Sequence, residues 1–409
     1  MRPDFHIIIV GGGMVGACAA ALAEADRHLA ELRIAVLEAN PPAPPGQGDI
    51  DLRVSAVSRA SQRILTAVGA WSLVPAQSLS PYDEMIVWDA GSKPRGAGAI
   101  HFSASATSEP NLGHIVENRQ LQWALYECQP FRRVTLLRAE LAGMTLERDR
   151  AVVSLGDGRT LSAALVIGSD GAASLSRKLA GIETAGWDYD QRAFVTHVRT
   201  EHSHARTAWQ RFLADGPIAF LPLADGRSSI VWTTRPAHAE HLASCSPEEA
   251  ALEIERAIDG ALGKVEIAAK RVHFPLRLTH ARQYCRERFA LVGDAAHAIH
   301  PLAGQGVNLG FLDCAALVQV LAQELAGGAD PAALAELRVL RRYERWRKSE
   351  NLIALGLVDG LNRLFSTSDE MLGWIRRTGL GAVDGSALAK RFFMGRAMGT
   401  SGELPTIAR

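Results

Sequence analysis

An apolar run over residues 5–10, Phe-His-Ile-Ile-Ile-Val, leads directly into Gly11-x-Gly13-x-x-Gly16 and then into an alanine-rich helical stretch. This order constrains the fold more than any other feature of the chain. A strand that turns straight into a helix needs a tight turn at Gly11, room for a pyrophosphate beside Gly13, and close helix–strand packing at Gly16. The first helical turn, carrying Met14 and Val15, offers free backbone N–H groups to an anion. Residues 33–38 read as a second strand. Glu38 stands at its end, 22 residues beyond Gly16, where a carboxylate can accept hydrogen bonds from ribose hydroxyls. A lone GxGxxG is weak; strand, glycines, helix, strand and acid in order predict an α/β, Rossmann-like dinucleotide-binding unit.

Two more strand ends carry the same kind of chemistry. Residues 289–292 form an apolar run followed by Gly293-Asp294, and a carboxylate placed there can accept bonds from a chain of sugar-like hydroxyls. Pro301 then blocks regular structure, and Gly304, Gly306, Val307 and Asn308 open a long apolar helical pattern whose N–H groups can face an anionic or electron-rich ring edge. Leu165-Val-Ile-Gly-Ser-Asp-Gly171 is another strand ending in an acid and a glycine, Asp170-Gly171, followed by Ser174 and Arg177.

Together these segments resemble the aromatic-ring hydroxylase class of FAD-dependent monooxygenases, of the p-hydroxybenzoate hydroxylase fold. Asp51-Leu-Arg-Val-Ser-Ala-Val-Ser58, Gly113-His-Ile-Val-Glu-Asn-Arg-Gln-Leu121, residues 293–310, and Arg396-Ala-Met-Gly399 ahead of Leu404-Pro405 are similar to the hydroxylases of ubiquinone biosynthesis in particular. The resemblance spans nearly the whole chain and is weakest over 186–280. It implies FAD as cofactor, with NAD(P)H or another electron donor and O2 as co-substrates. It further implies that a flavin C4a-hydroperoxide hydroxylates the ring of a polyprenylphenol or benzoquinol. By the same resemblance the first motif holds the ADP half of FAD, Gly293-Asp294 the ribitol, and Asp170-Gly171 contacts both FAD and NAD(P)H, with Arg53 near the flavin. At 118 this chain has Asn where many relatives outside the quinone branch carry Arg, so the neighbouring Arg119 is assigned to the flavin.

The protein must hold the ring in line, exclude water and stabilise charge developing on the flavin. The loop from Pro301 to Gly306 is the candidate for the flavin N1/C2 face. His297 and His300 flank it; His297 can serve in proton transfer or hold a loop carbonyl. No W-x-W, second GxGxxG or CxxxxC occurs, which argues against halogenase-like and disulfide-reductase chemistry.

Hairpins centred on Asp157-Gly158 and Asp225-Gly226 bracket a β-rich stretch. The second alternates apolar and polar residues, predicting an antiparallel sheet with one covered face. The expected organisation is a discontinuous FAD-binding domain of the GR2/p-hydroxybenzoate hydroxylase type (1–75, 112–185, 280–332), an inserted antiparallel substrate domain (76–111, 186–279) and a helical C-terminal region (333–409). Residues 41–48, rich in proline, read as a linker or a lid.

Lys plus Arg equals Asp plus Glu at 44 each, so no global field recruits nucleic acid. The five scattered cysteines read as reduced packing residues, and the first strand starts too early for a signal peptide. No run approaches the roughly 18 consecutive apolar residues of a spanning helix. A cytoplasmic protein, peripheral to the inner membrane, is expected. Residues 338–409 hold thirteen Lys/Arg against seven Asp/Glu, which fits either a packed helical tail or a surface for anionic lipid or a quinone-biosynthesis protein complex. Two other readings stand beside the leading one: a hydroxylase of a soluble aromatic compound, and a non-catalytic FAD-binding subunit.

Overall fold

The structure is a computed structural model, and it describes all residues except 1, 47, 49, 97, 299–305 and 366–385. Its α-helices are α1 (Met14–Ala25), α2 (Arg59–Ala67), α3 (Asn118–Glu127), α4 (Leu175–Leu179), α5 (Pro236–Ser244), α6 (Pro247–Ala257), α7 (Gly306–Ala326), α8 (Leu337–Phe365) and, beyond the gap, α9 (Ala387–Ala397).

The first sheet places the strands Phe289–Leu291, Thr160–Gly168, Phe5–Val10, Ile34–Leu37 and Thr135–Leu137 side by side and parallel. Ile7, Ile8 and Ile9 are buried, as a parallel strand covered on both faces requires. The register pairs Val10 with both Leu37 and Gly168, and Gly168 with Leu291, so these strands end along one edge. Helix α1 is two-thirds Gly, Ala and Cys, which lets it lie close to its strand and to α7. The hairpin at Asp157-Gly158 forms as expected, with Gly158 at φ +88.

The second sheet has nine strands, in which Gly216–Pro222 and Ser228–Thr234 pair antiparallel as predicted. The expectation of one covered face fails: both strands are buried throughout except for the half-buried Val231. Ile218, Phe220, Ile230 and Trp232 pack under α5 and α6, while Leu221 and Val231 pack with Tyr82, Ile115, Met394 and Met398. Polar residues on the Val231 face, Ser229 and Thr233, are therefore buried. A third, three-stranded sheet pairs Val54–Ser58 and Leu79–Tyr82 with Gly113–Glu117. Helix α2 is capped by Ser58, whose side chain accepts from the Ser61 N–H.

Helix α7 is long and apolar enough to cross a membrane, but it is mostly buried in the core beside the first sheet, packed against α1 and α8.

Candidate functional site

The shared strand edge gathers Glu38, the glycine loop, Asp170 and Gly293-Asp294, the position where open α/β sheets bind ligands. Gly11 has φ +96, and a Cβ there would lie 2.7 Å from the Ser169 carbonyl oxygen. A Cβ on Gly16 would lie 1.9 Å from the Gly11 oxygen, so both positions are closed to any side chain. Gly13 differs: its φ is −61, and a Cβ would meet nothing within 4 Å. No side chain caps α1, which leaves its first N–H groups available. An open cradle in front of an uncapped helix start fits a pyrophosphate.

The turn is held through Gly12, a residue outside the motif's spacing. Its N–H donates to Glu38 Oε2 at 2.8 Å, and its carbonyl accepts from Gln122 Nε2 at 3.1 Å and the Tyr126 hydroxyl at 2.8 Å. Glu38 Oε1 accepts from the Asn40 N–H at 2.9 Å. The carboxylate thus organises the loop and keeps spare lone pairs for ribose hydroxyls. Burial, reinforced by Glu38, raises the Tyr126 pKa, so the phenol stays a donor. Gln122 and Tyr126, four apart on one face of α3, carried no signal in the sequence beyond that spacing.

Asp170 faces inward to the chain. Its Oδ1 accepts from the hydroxyls of Ser174 (2.6 Å) and Ser176 (2.7 Å), and its Oδ2 from the Ser176 N–H (2.9 Å). Arg177, buried beside it, donates to the carbonyls of Ala172 and Ala295, tying this loop to the Gly293 turn. Gly171, at φ +77, makes the bend between them.

Asp294 is uncommitted: among the described residues its carboxylate accepts no hydrogen bond. It is exposed, yet protein surrounds it closely, the setting of a side chain on the floor of a cleft. Desolvation raises its pKa, opposed by His297 and assisted by Asp313. Such a group gains from hydroxyl donors that replace lost water, as a ribityl chain would.

Behind it lies a network the sequence reading missed. Asp313, fully buried in α7, accepts from the Gly293 N–H (3.1 Å), His297 Nε2 (2.5 Å), Arg347 Nε (2.9 Å) and Asn351 Nδ2 (3.0 Å). Tyr284 joins through Asn351, and the Tyr343 hydroxyl donates to the Leu291 carbonyl. Gly293, at φ +60, is thereby fixed from both sides. The available signal was an acid inside the apolar run of α7, matched by Arg347 and Asn351 one turn apart on α8.

The structure places the other expected residues as follows. His297 is 1% exposed with Nε2 held by Asp313, an arrangement that supports the loop, the structural one of its two expected roles. The Asn308 side chain is occupied by the Ser58 N–H and the Ala56 carbonyl, clipping α7 to the third sheet. Val15 fills the space over Gly293 and Gly310, whose Cβ positions would lie 3.0 and 2.6 Å from it. With its side chain so engaged, Asn308 offers a cofactor its backbone N–H. Arg119 Nε pairs with the buried Glu117 at 2.7 Å, which also accepts from the Asp51 N–H. Arg53 is exposed beside them, its carbonyl accepting from the Asn118 N–H. Gly306 and Val307, half-buried, begin α7, and Met14 is half-buried in the first turn of α1. Pro301, His300 and Gly304 lie outside the described residues. An open depression of about 640 Å³ lined by Met144, Leu179, Cys285, Arg341 and Glu344 contains none of these residues.

Comparison with known proteins agrees with this geometry. Residues 124–348 match the family described as FAD binding domain. The chain is 38% identical over 397 residues to 3-demethoxyubiquinol 3-hydroxylase of Escherichia coli, covering 96% of this chain and 98% of that protein. It is 34% identical to the mitochondrial ubiquinone biosynthesis monooxygenase COQ6 of Rattus norvegicus, covering 95% and 90%. Among solved structures, p-nitrophenol 4-monooxygenase PnpA from Pseudomonas putida superimposes with a TM-score of 0.75 over 98% of this chain and all of that one, at 18% identity, which shows a shared fold.

Proposed function

This chain belongs to the FAD-dependent hydroxylases of ubiquinone biosynthesis, and from that premise we propose that it hydroxylates the aromatic ring of a polyprenyl-substituted phenol or quinol, with O2 and NAD(P)H or another reductant as co-substrates. The observation that carries the reading is Asp294, a crowded carboxylate without a protein partner among the described residues, set on a rigid turn opposite an uncapped helix start. Bound FAD supplies the oxygen activation that no side chain here can perform.

The residues supply binding and orientation. The first N–H groups of α1 would receive the pyrophosphate, Glu38 the adenosine ribose, and Asp294 the ribityl hydroxyls. Asp313 keeps the Gly293 N–H fixed, so Asp294 is presented in one direction. The first N–H groups of α7, from Gly306 to Asn308, would favour negative charge at the ring edge of the flavin.

A polyprenyl tail partitions into the bilayer, so the ring must pass from a lipid surface to a soluble pocket. We therefore propose a cytoplasmic protein, peripheral to the membrane. In support, Leu352 (48%) and Ile353 (44%) on α8 and Phe392 (48%) on α9 are exposed large apolar side chains, and the exposed Arg391 adjoins Phe392. Exposed apolar side chains near basic residues suit anionic lipid. Arg376 and Arg377 lie outside the described residues.

Deleting the gene and profiling quinone intermediates tests the reading. A prenylated ring short of one oxygen should accumulate, and the wild-type gene should restore the quinone. An unchanged profile would overturn the substrate assignment.

A further inference from the structure

Helices α5 and α6 form a hairpin over the outer face of the second sheet, remote in sequence from every residue of the flavin edge. Ser246 and Pro247 make the turn, with Ser246 Oγ accepting from the Glu249 N–H at 3.1 Å and Pro247 opening α6. His238 and His241 stand three apart on α5, with Cys245 four further on at its end; Glu249 and Glu253 stand four apart on α6. Such spacings put each set on one helix face, and the hairpin turns the two faces together.

The donor atoms converge. His241 Nε2, Cys245 Sγ and a Glu249 carboxylate oxygen all lie within 4.8 Å of one another. His241 Nε2 is 3.8 Å from Glu249 Oε1 and 2.8 Å from Glu253 Oε1, while Glu253 Oε2 is 2.7 Å from His238 Nε2. The other ring nitrogen of His238 is 2.8 Å from Thr234 Oγ1, which orients that imidazole from behind. Arg271 Nη1 approaches Cys245 Sγ at 3.6 Å, but it also donates to the Leu242 and Ser246 carbonyls at 3.0 and 3.3 Å, which hold it at the helix end.

We propose that His241, Cys245 and Glu249 bind a divalent transition-metal ion of the zinc class, with Glu253 as the fourth ligand and His238 positioning Glu253. An imidazole, a thiolate and carboxylates make a borderline donor set that suits Zn2+, whereas Ca2+ and Mg2+ take oxygen shells. Zinc bonds of about 2.0–2.3 Å in a tetrahedron bring ligand atoms to roughly 3.5 Å separation. Rotation of His241 (43% exposed) and Glu249 (54%) closes the remaining gap without moving backbone. Ion pairing alone accounts for His238, His241 and Glu253; Cys245 packs against the core beneath the hairpin and presents its Sγ to the same cluster. The bound ion ties the end of α5 to the start of α6 and so stiffens the cover of the second sheet.

The test uses untagged, FAD-loaded protein stripped with a chelator and titrated with Zn2+ by calorimetry and with Co2+ by absorbance. One ion per chain should bind, and Co2+ should give tetrahedral d–d bands with a sulfur-to-metal band in the near ultraviolet. Cys245→Ser should abolish the sulfur band. Either Cys245→Ser or Glu249→Gln should weaken Zn2+ binding by at least about 100-fold, since loss of outer-sphere partners alone costs 10–100-fold. FAD content should not change. Absence of stoichiometric uptake by the wild-type protein would overturn the proposal, as would uptake with no sulfur band or uptake indifferent to both substitutions.

Discussion

Replacing Asp313 by Asn keeps the side chain's shape and removes its charge from the centre of the network behind Asp294. The carboxylate receives four donors, from Gly293, His297, Arg347 and Asn351. An amide has one acceptor oxygen and two hydrogens of its own, so some of these donors would face a donor. Arg347, 1% exposed, would lose its counter-charge. Two routes give the magnitude. Removing one member of a buried ion pair costs about 3–5 kcal/mol. Independently, burial pushes the Asp313 carboxyl up, but His297, Arg347 and Asn351 outweigh it and hold the pKa at about 2 against an ordinary 3.8. A shift of that size corresponds to about 2.5 kcal/mol. The expected loss is therefore about 2.5–5 kcal/mol. Because the folded pKa is the lower one, this stabilisation is complete above the ordinary 3.8 and is lost as pH falls through about 2. The deficit of Asp313→Asn should be full at neutral pH and close as both proteins are acidified. Urea unfolding followed by tryptophan and flavin fluorescence measures it. FAD affinity should also fall, since the Gly293 N–H loses a charge-assisted acceptor worth roughly 1.5–3 kcal/mol. Wild-type stability and FAD affinity at neutral pH would show that the network does not hold the turn.

A Cβ at Gly13 meets no protein atom and needs no strained φ, so the Gly13→Val apoprotein should fold normally while FAD occupancy drops; full occupancy would remove the pyrophosphate from this loop. Asp294→Ala should weaken FAD binding by roughly 10- to 150-fold, from a lost bond of about 1.5–3 kcal/mol. Asp170→Ala should instead cost about 1–2 kcal/mol of apoprotein stability, the usual loss when a helix-start acceptor is removed, with the smaller effect on FAD; a larger FAD loss for Asp170→Ala would reverse the two roles. Changing Arg376, Arg377, Lys390 and Arg391 together to Gln should spare FAD content and lower quinone output in cells, since each basic residue near an anionic surface contributes about 1 kcal/mol. Unchanged quinone levels would count against lipid docking through this region.

The glycine loop, the four strand ends and both hairpins were readable because each is a local pattern: an apolar period, a turn residue, an acid at a fixed distance. Supports drawn from distant segments were not. Gly12 is clamped by Gln122 and Tyr126, 110 and 114 residues away. Asp313 is an acid in an apolar helix, and its role appears only when Arg347 and Asn351 arrive from α8. His297 read as either a proton-transfer group or a support for the loop, and its burial against Asp313 fits the support. The second sheet misled for a related reason, since alternation predicts one wet face unless another layer covers it, here Met394, Met398 and the third sheet.

The most direct test of the central claim is the fate of oxygen. Purified FAD-loaded protein, supplied with reductant, a short-chain prenylphenol and 18O2, should place one labelled oxygen atom on the aromatic ring, and the Asp294→Ala variant should do so more slowly at subsaturating FAD. Consumption of oxygen with label appearing only in hydrogen peroxide, and none on the ring of any prenylated phenol, would contradict the account.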